Sequence, residues 1–348
     1  MLHHYNMVNS QTLSFSIIIP CRNEEMYIAR CLASVTENSY PHELLEVIVA
    51  DGMSTDLTPK IVKHFTDKFP FVKLIQNKSL FTPSGLNLGI KQAKGDIILI
   101  LGAHSVLKPL YLSSCAQLLN QNPEAACVGG IILNQNENST SKIIGYAMAS
   151  PFGVGNARFR TGGKDGFVDT VAFGAYRREV FEKAGFFDEE LARNQDDEFN
   201  YRIRKQGFKI YYSSKLVSDY FVRASFTKLA KQYFQYGYWK VYVNQKHRQI
   251  TSLRQLVPFL FVLFLLIGLP ALALPAWVGK TWLGILGFYS IGAIVAAFTT
   301  KAPLYQVPAV VFSFLVLHLS YGTGYLWGIV QFMLLHRKPG VRSHALTR

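Results

Sequence analysis

The sequence predicts an α/β protein: a mostly parallel sheet in the first two thirds, followed by C-terminal transmembrane helices. Three observations predict it. Apolar strand-like runs alternate with helical ones over residues 15–101, three long hydrophobic stretches lie near the end of the chain, and charge is divided unevenly between the two regions. In order, Ser16–Pro20 reads as a buried strand, Glu24–Asn38 as a helix, Leu45–Ala50 as a strand and Thr58–Phe69 as a helix. Val72–Gln76, Thr82–Ala93 and Asp96–Leu101 continue as strand, helix and strand. Strands that are apolar along their whole length and separated by helices belong to parallel sheets buried on both faces. Such sheets bind ligands at the carboxyl ends of their strands.

Leu256–Val278, Trp282–Phe298 and Val307–Leu335 are each long enough to cross a bilayer, the second only just. Pro258, Pro270 and Pro275 make the first irregular. The third holds His318, Ser320, Tyr321, Gly322 and Gly324, and is expected to tilt, kink or line a protein contact. Three crossings put the termini on opposite sides. The basic tail (His336, Arg337, Lys338, Arg342, Arg348) favours the cytoplasm and an even number, so the count stays open. Net charge is +14, and 13 of the 36 Lys and Arg follow Asp219, the last acidic residue. The preceding residues are nearly balanced, with 23 basic against 22 acidic side chains. Basic flanks around apolar runs suit anionic lipid headgroups, not nucleic acid. Cys21, Cys31, Cys115 and Cys127 show no paired or metal-ligand spacing and read as reduced, buried thiols of a cytoplasmic domain. Polar Met1–Gln11 predicts no secretory signal. The expected organisation is an extension (1–14), an α/β domain (15–222), an interfacial amphipathic segment (223–255), transmembrane segments (256–335) and a basic tail (336–348).

The unusual residues fall just after the strands. They are Pro20-Cys21-Arg22-Asn23-Glu24-Glu25, then Asp51-Gly52-Met53-Ser54-Thr55-Asp56, then Gly102-Ala103-His104. Neither a dinucleotide fingerprint nor a P-loop is present. Further on come Thr82-Pro83-Ser84-Gly85-Leu86-Asn87-Leu88-Gly89, the acidic run Gln195-Asp196-Asp197-Glu198, and Gln235-Tyr236-Gly237-Tyr238-Trp239. Each has a purely local reading. Asn23 would cap a helix whose first turn carries Glu24 and Glu25. Asp51-Gly52 would form an Asx-turn, Asp56 an N-cap, and Glu198–Arg202 an i,i+4 pair. Lys228, Lys231 and Lys240 among aromatics suit a helix at a membrane surface.

In order and spacing these segments resemble the inverting, GT-A-fold glycosyltransferases of family 2, particularly bacterial exopolysaccharide transferases of the succinoglycan-synthesis type. The likeness covers about residues 14–240. It implies a Rossmann-like GT-A domain in which Pro20, Arg22, Asn23 and Glu24 contact the nucleotide and Asp51 the base or ribose. Asn87 would hydrogen-bond near the diphosphate. Where the family carries a metal-binding DxD, this chain has Gly102-Ala103-His104, which leaves His104 to ligate Mn²⁺ or, less suitably, Mg²⁺, or to meet phosphate without a metal. The register of the acceptor-side motif puts Gln195 at the family's Glu and Asp196 at its catalytic base, with Asp197 as rival. An inverting transferase needs one carboxylate to take the acceptor proton as oxygen attacks C1. Gln235 and Trp239 match the QxxRW motif of processive synthases, whereas Tyr238 replaces its Arg.

The resemblance therefore implies a membrane-anchored transferase moving a sugar from a nucleotide-sugar, UDP-linked by expectation, to a lipid-linked saccharide during extracellular polysaccharide synthesis. Its catalytic domain would face the cytoplasm at the inner membrane. The alternatives are a processive synthase, disfavoured by Tyr238, and a silent nucleotide-sugar-binding partner, suggested by the altered DxD.

Overall fold

The computed structural model describes residues 12–222, 225–271, 273 and 275–339. The expected extension up to residue 11, and Arg342 and Arg348 of the tail, lie outside the described residues. Two compact units form. One takes Met1–Leu133, Gly162–Glu189 and Phe199–Tyr220; the other takes Asn134–Thr161, Glu190–Glu198 and Phe221–Arg348.

In chain order the elements begin β1 (Phe15–Cys21), α1 (Ile28–Thr36), β2 (Leu45–Asp51), α2 (Thr58–Lys68), β3 (Val72–Gln76), α3 (Thr82–Gln92), β4 (Ile97–Ile100), β5 (Ser105–Leu107), α4 (Tyr111–Gln121) and β6 (Ala125–Gln135). There follow α5 (Ser139–Met148), α6 (Pro151–Val154), α7 (Arg158–Thr161), β7 (Gly166–Val168), β8 (Ala172–Arg177), α8 (Arg178–Ala184), α9 (Gln195–Lys205) and β9 (Lys209–Phe221). The chain continues through α10 (Phe226–His247), α11 (Val257–Ala271), α12 (Ala276–Phe298) and α13 (Val307–Gly328) into a π-helical turn, Ile329–Leu334.

The sheet runs β3-β2-β1-β4-β8-β6-β9-β5, with β7 also on β9. Its first four strands are parallel, as the sequence predicts. Beyond them β8 pairs antiparallel with both β4 and β6, and β9 antiparallel with β5 and β7, so the sheet is mixed where the sequence predicts a mostly parallel one. The antiparallel strands escape a sequence reading for physical reasons. β5 and β7 have three residues each, and Gly129-Gly130 interrupts β6. A Cβ on Gly130 would collide with the Leu216 carbonyl, so glycine is required for that approach. β1 is apolar throughout because it serves two cores. Phe15, Ile17 and Ile19 pack with Leu32 and Val35 of α1, and Ile18 with Leu86 and Ile90 of α3. The chain passes from β3 to the far side of β1 to form β4, which makes the carboxyl end of β1 a topological switch point.

In the helical unit, α10 and α13 run parallel at backbone contact. A Cβ on Gly237 would fall on the Tyr321 carbonyl, and one on Gly324 on the Phe234 carbonyl. α10 is thus docked along α13, which the sequence reading of a surface-lying segment does not capture. The expected first apolar stretch splits: α11 ends at Ala271, just after Pro270, and Pro275 caps α12. By length and composition, three helices could cross a membrane: Leu253–Pro270, Ala276–Phe298 and Leu304–Leu334. In the 131–167 region, where the sequence shows little pattern, Asn138 N-caps α5 by accepting from the Ser141 amide at 2.7 Å.

Candidate active site

One cluster of candidate residues gathers where β1, β2 and β4 end, in the sheet unit. Cys21 and Asp51 are register partners at the ends of β1 and β2. Beyond them both loops turn through left-handed residues, Asn23 (φ 54°) and Met53 (φ 55°). The loops are laced together. The Asn23 amide donates to Ser54 Oγ (2.8 Å), the Thr55 amide to Asn23 Oδ1 (2.9 Å), and the Glu24 amide to Thr58 Oγ1 (2.8 Å). Asn23 therefore holds the second loop and does not cap α1, which begins only at Ile28 after Tyr27. Glu25 likewise leaves α1 and accepts from the Leu57 amide at 3.0 Å. Asp56 accepts from the Thr58 amide (2.9 Å) at the start of α2 and from the Glu25 amide (3.2 Å). Burial opposes its ionisation, but the Thr58 and Glu25 hydrogen bonds outweigh that and hold the carboxyl below the usual range.

Asp51 is buried. It accepts from the Ser54 amide (3.1 Å), the Ser54 hydroxyl (2.5 Å) and the Cys21 thiol (3.8 Å). A carboxylate offers about four acceptor positions, so roughly one is left for a ligand. Pro20 and Arg22 are half-buried beside it. Gly52 lets the loops close, since a Cβ there would lie 3.3 Å from Arg22 Cβ and from the Cys21 carbonyl oxygen. Asn87, expected near a diphosphate, is buried on α3 and gives its amide to the Phe187 carbonyl and Glu189 (both 2.8 Å), while its oxygen accepts from the Phe187 amide (2.9 Å). Arg177 and Arg178 are similarly occupied with the carbonyls of Leu119, Ala125, Ala93 and Gly95.

After β4, His104 places Nδ1 3.4 Å from Glu24 Oε1 and its ring edge-on to Tyr220, 5.3 Å between centroids. A Cβ on Gly102 would approach Phe173 and Ser105 at 3.3 Å, so Phe173, itself left-handed at φ 48°, crowds the space the family gives to a carboxylate. Among the described residues no three His, Cys, Asp or Glu side chains form a metal cluster. Glu24 and His104 nonetheless lie close enough for both to ligate one ion at about 2.1 Å each. Their mixed oxygen and nitrogen donors suit Mn²⁺ better than Mg²⁺. This pairing has no sequence signal, because 80 residues separate the partners. All four cysteines are free and buried, and burial with the nearby Glu24 carboxylate pushes the Cys31 thiol up to about 12.

Another cluster of candidate residues lies in the helical unit, where segment 190–198 is fastened to α10. Asn194, left-handed at φ 62°, donates to the Tyr236 carbonyl (2.9 Å), and Arg193 Nε to Gln235 Oε1 (3.3 Å). Lys240 pairs with Asp197, and Glu198 with His247 Nε2 at 3.0 Å. At the start of the segment, Tyr242 and Lys246 reach Glu190 Oε2 at 2.8 and 3.0 Å. Lys240 is only 1 % exposed, which overturns its reading as a headgroup-facing lysine: its ammonium is the buried counterion of Asp197. Trp239 and Gln235 are buried on the same helix, and Tyr238 packs on Phe332 at 4.7 Å. Arg202 donates to the Ala184 and Phe186 carbonyls.

Asp196 sits in the first turn of α9 and remains exposed. Its carboxyl is pushed above the usual range, first by the protein packed around it and then by the charge of Asp197, against the helix amides and Lys240. Because the side chain keeps contact with water, the neighbouring charge is the firmer of the two causes. Gln195 Oε1 is buried without a hydrogen-bond partner among the described residues. Four of the seven non-glycine residues with positive φ among those described (Asn23, Met53, Phe173, Asn194) belong to these two clusters. Strain of that kind, roughly 1–3 kcal/mol per residue, collects where function demands a fixed geometry.

Loops tied together at the switch point of a mixed sheet mark the ligand-binding end of an α/β enzyme. The chain belongs to glycosyl transferase family 2, whose model matches residues 16–185. It is 33% identical over 321 residues to the dolichyl N-acetyl-alpha-D-glucosaminyl phosphate 3-beta-D-2,3-diacetamido-2,3-dideoxy-beta-D-glucuronosyltransferase of Methanococcus voltae, covering 88% of this chain and 95% of that protein. It is 26% identical to the succinoglycan biosynthesis protein ExoA of Rhizobium meliloti, covering 91% and 95%. In fold it is similar to the mannosyltransferase PcManGT of Pyrobaculum calidifontis, solved with GDP-Man and Mn²⁺, with a TM-score of 0.53, 18% identity, and 97% and 87% of the two chains covered.

Proposed function

We propose that the enzyme transfers a sugar, with inversion, from a nucleotide-sugar to a hydroxyl of a lipid-linked saccharide, with Asp196 as the base. The observation that carries this reading is Asp196 itself: an exposed carboxylate at a helix start, on a segment held by α10 at both ends. Asp196 takes the acceptor proton as the hydroxyl oxygen attacks C1 of the donor sugar. The bond from C1 to the nucleoside diphosphate breaks on the opposite face. Gln195, whose Oε1 is buried without a hydrogen-bond partner among the described residues, is assigned to the acceptor side next to Asp196. Asp197 does not compete as base, because Lys240 already holds it.

On the donor side, the loops after β1 and β2 hold the nucleoside beside Asp51, and Asn87 acts from behind by fixing Phe187 and Glu189. UDP remains the expected nucleotide. Glu24 and His104 would hold a divalent ion, which when bound supplies positive charge to the diphosphate. The Methanococcus relative is named for a dolichyl-linked sugar phosphate, which supports a lipid-linked acceptor here.

Membrane attachment falls to α11 and α12. Only 11% of each of those spans is covered by protein, against 44% for Leu304–Leu334, whose second half lies along the lysine-bearing α10. Two crossings leave both ends on the cytoplasmic side, which reconciles the three apolar stretches with the basic tail.

The test is transfer of label from a panel of UDP-sugars into lipid-linked saccharide, by wild type and Asp196→Asn, with Mn²⁺ or chelator. The variant should bind donor normally and lose roughly 10²–10⁴ in kcat. Retention of wild-type turnover by Asp196→Asn would remove Asp196 as base, and full activity in chelator would remove the ion.

A further inference from the structure

The helical unit holds a cavity of about 410 Å³ that none of the donor loops lines. Its walls carry Lys246, Arg337, Lys338 and His336, with Phe332 as the apolar part and Glu190 as the one carboxylate. The π-helical turn shapes it. Gln245 of α10 donates to the Phe332 carbonyl at 3.0 Å, and His336 turns left-handed at φ 49°. Arg337 then folds back, its amide to the Gln331 carbonyl and one guanidinium nitrogen to Gln331 Oε1, both at 2.9 Å. Those bonds leave most of the guanidinium fork available. Glu190 is already held by Lys246 and Tyr242, bonds that keep its carboxyl below the usual range. Lys338 makes no hydrogen bond among the described residues. Three permanent cations face one carboxylate, so the cavity is positive before His336 is counted.

We propose that this cavity binds the phosphate of the lipid-linked acceptor, with Arg337 and Lys338 as its principal ligands. This rests on the transferase reading above. Three features favour a lipid-borne phosphate. The cavity lies where the apolar run ending at Leu334 gives way to His336, Arg337 and Lys338, a boundary between apolar and cationic surface that suits a phosphate carried on a lipid. It is larger than a phosphate needs, leaving room for the adjoining sugar. Finally, Lys246 on the cavity wall holds Glu190 and Lys240 of the same helix holds Asp197, so the cavity and the proposed base Asp196 share the segment 190–198.

The test uses the full-length enzyme in neutral detergent and a radiolabelled polyprenyl monophosphate, with binding measured directly so that turnover is not required. Arg337→Gln/Lys338→Gln should weaken lipid binding about tenfold or more, the loss of a charge-assisted hydrogen bond, while UDP binding stays unchanged. If the double variant also loses UDP, Lys338→Gln alone decides, since Lys338 makes no hydrogen bond in the described fold. Unchanged lipid binding in the variants overturns the proposal. So does displacement of the probe by millimolar inorganic phosphate, which would make this a free-anion site, or by equimolar phosphatidylglycerol, which would make it a bulk-lipid site. A wild type that binds the lipid phosphate but transfers nothing from a panel of UDP-sugars to lipid-linked saccharide would sink the proposed reaction and leave the phosphate site standing.

Discussion

Removing Asp197 should cost more than removing Asp197 and Lys240 together. Lys240 is 1 % exposed and its ammonium has Asp197 as counterion, whereas Asp197 keeps 23% of its side chain in contact with solvent. Asp197→Asn strands a cation in the protein interior. Stranding one member of a buried pair costs about 3–5 kcal/mol, against a Coulomb attraction on the order of 4 kcal/mol at an effective dielectric of 20. Lys240→Met strands an anion that can reach water and the amides of α9, so about 1–2 kcal/mol is expected. The double variant replaces the pair by an amide beside a thioether and should melt above Asp197→Asn. Thermal unfolding of the full-length protein in detergent, followed by tryptophan fluorescence, reads the difference. For a unit of this size, 3–5 kcal/mol corresponds to a shift on the order of 10 °C. If the two single losses add in the double variant, the residues are not coupled and the fastening of segment 190–198 to α10 is misread.

The same pair bears on the pH response of Asp196, the proposed base, which must be ionised to act, so activity should fall as pH drops through its pKa. Lys240→Met removes a charge that lowers that pKa and should move the acid limb to higher pH; Asp197→Asn removes a charge that raises it and should move the limb lower. Limbs that shift together, or not at all, in kcat–pH profiles would refute Asp196 as the titrating group. Gly324→Ala should destabilise the helical unit by about 1–3 kcal/mol or more, because its methyl group meets the Phe234 carbonyl; an unchanged melting temperature would mean the helices are further apart than described. Glu46 accepts from Ser16, Lys73 and the Lys94 amide; burial opposes its ionisation, but these partners lower its pKa on balance. Its contribution is present above the unfolded pKa and lost as pH falls through the folded one. Glu46→Gln should therefore cost about 1–3 kcal/mol at neutral pH, and the gap in denaturant midpoints should close in acid.

The parallel strands were legible because burial on both faces writes itself as unbroken apolar runs, as Ile17, Ile18 and Ile19 show by feeding two cores. The loops after them were legible by position, since polar residues just past such strands have few other uses. What those residues touch was not. Asn23 reads as a cap from its neighbours alone, yet its partner is Thr55 in the next loop. Lys240 among aromatics looks like a headgroup lysine, and only the fold reveals Asp197 opposite it. Glu24 and His104 meet across a sheet whose order no local pattern specifies.

The division of the chain has an evolutionary and practical corollary. The loops after β1 and β2 take their shape from the sheet unit, and segment 190–198 takes its shape from α10, although the two are interleaved in sequence. Under the proposed function, sugar choice and acceptor choice are then separate packing problems that can drift independently. Chimeras between relatives should work when cut at 133/134, 161/162, 189/190, 198/199 and 220/221, not at one mid-chain junction. By the same token, trimming the apolar helices to obtain a soluble enzyme would also take away the scaffold of the proposed base.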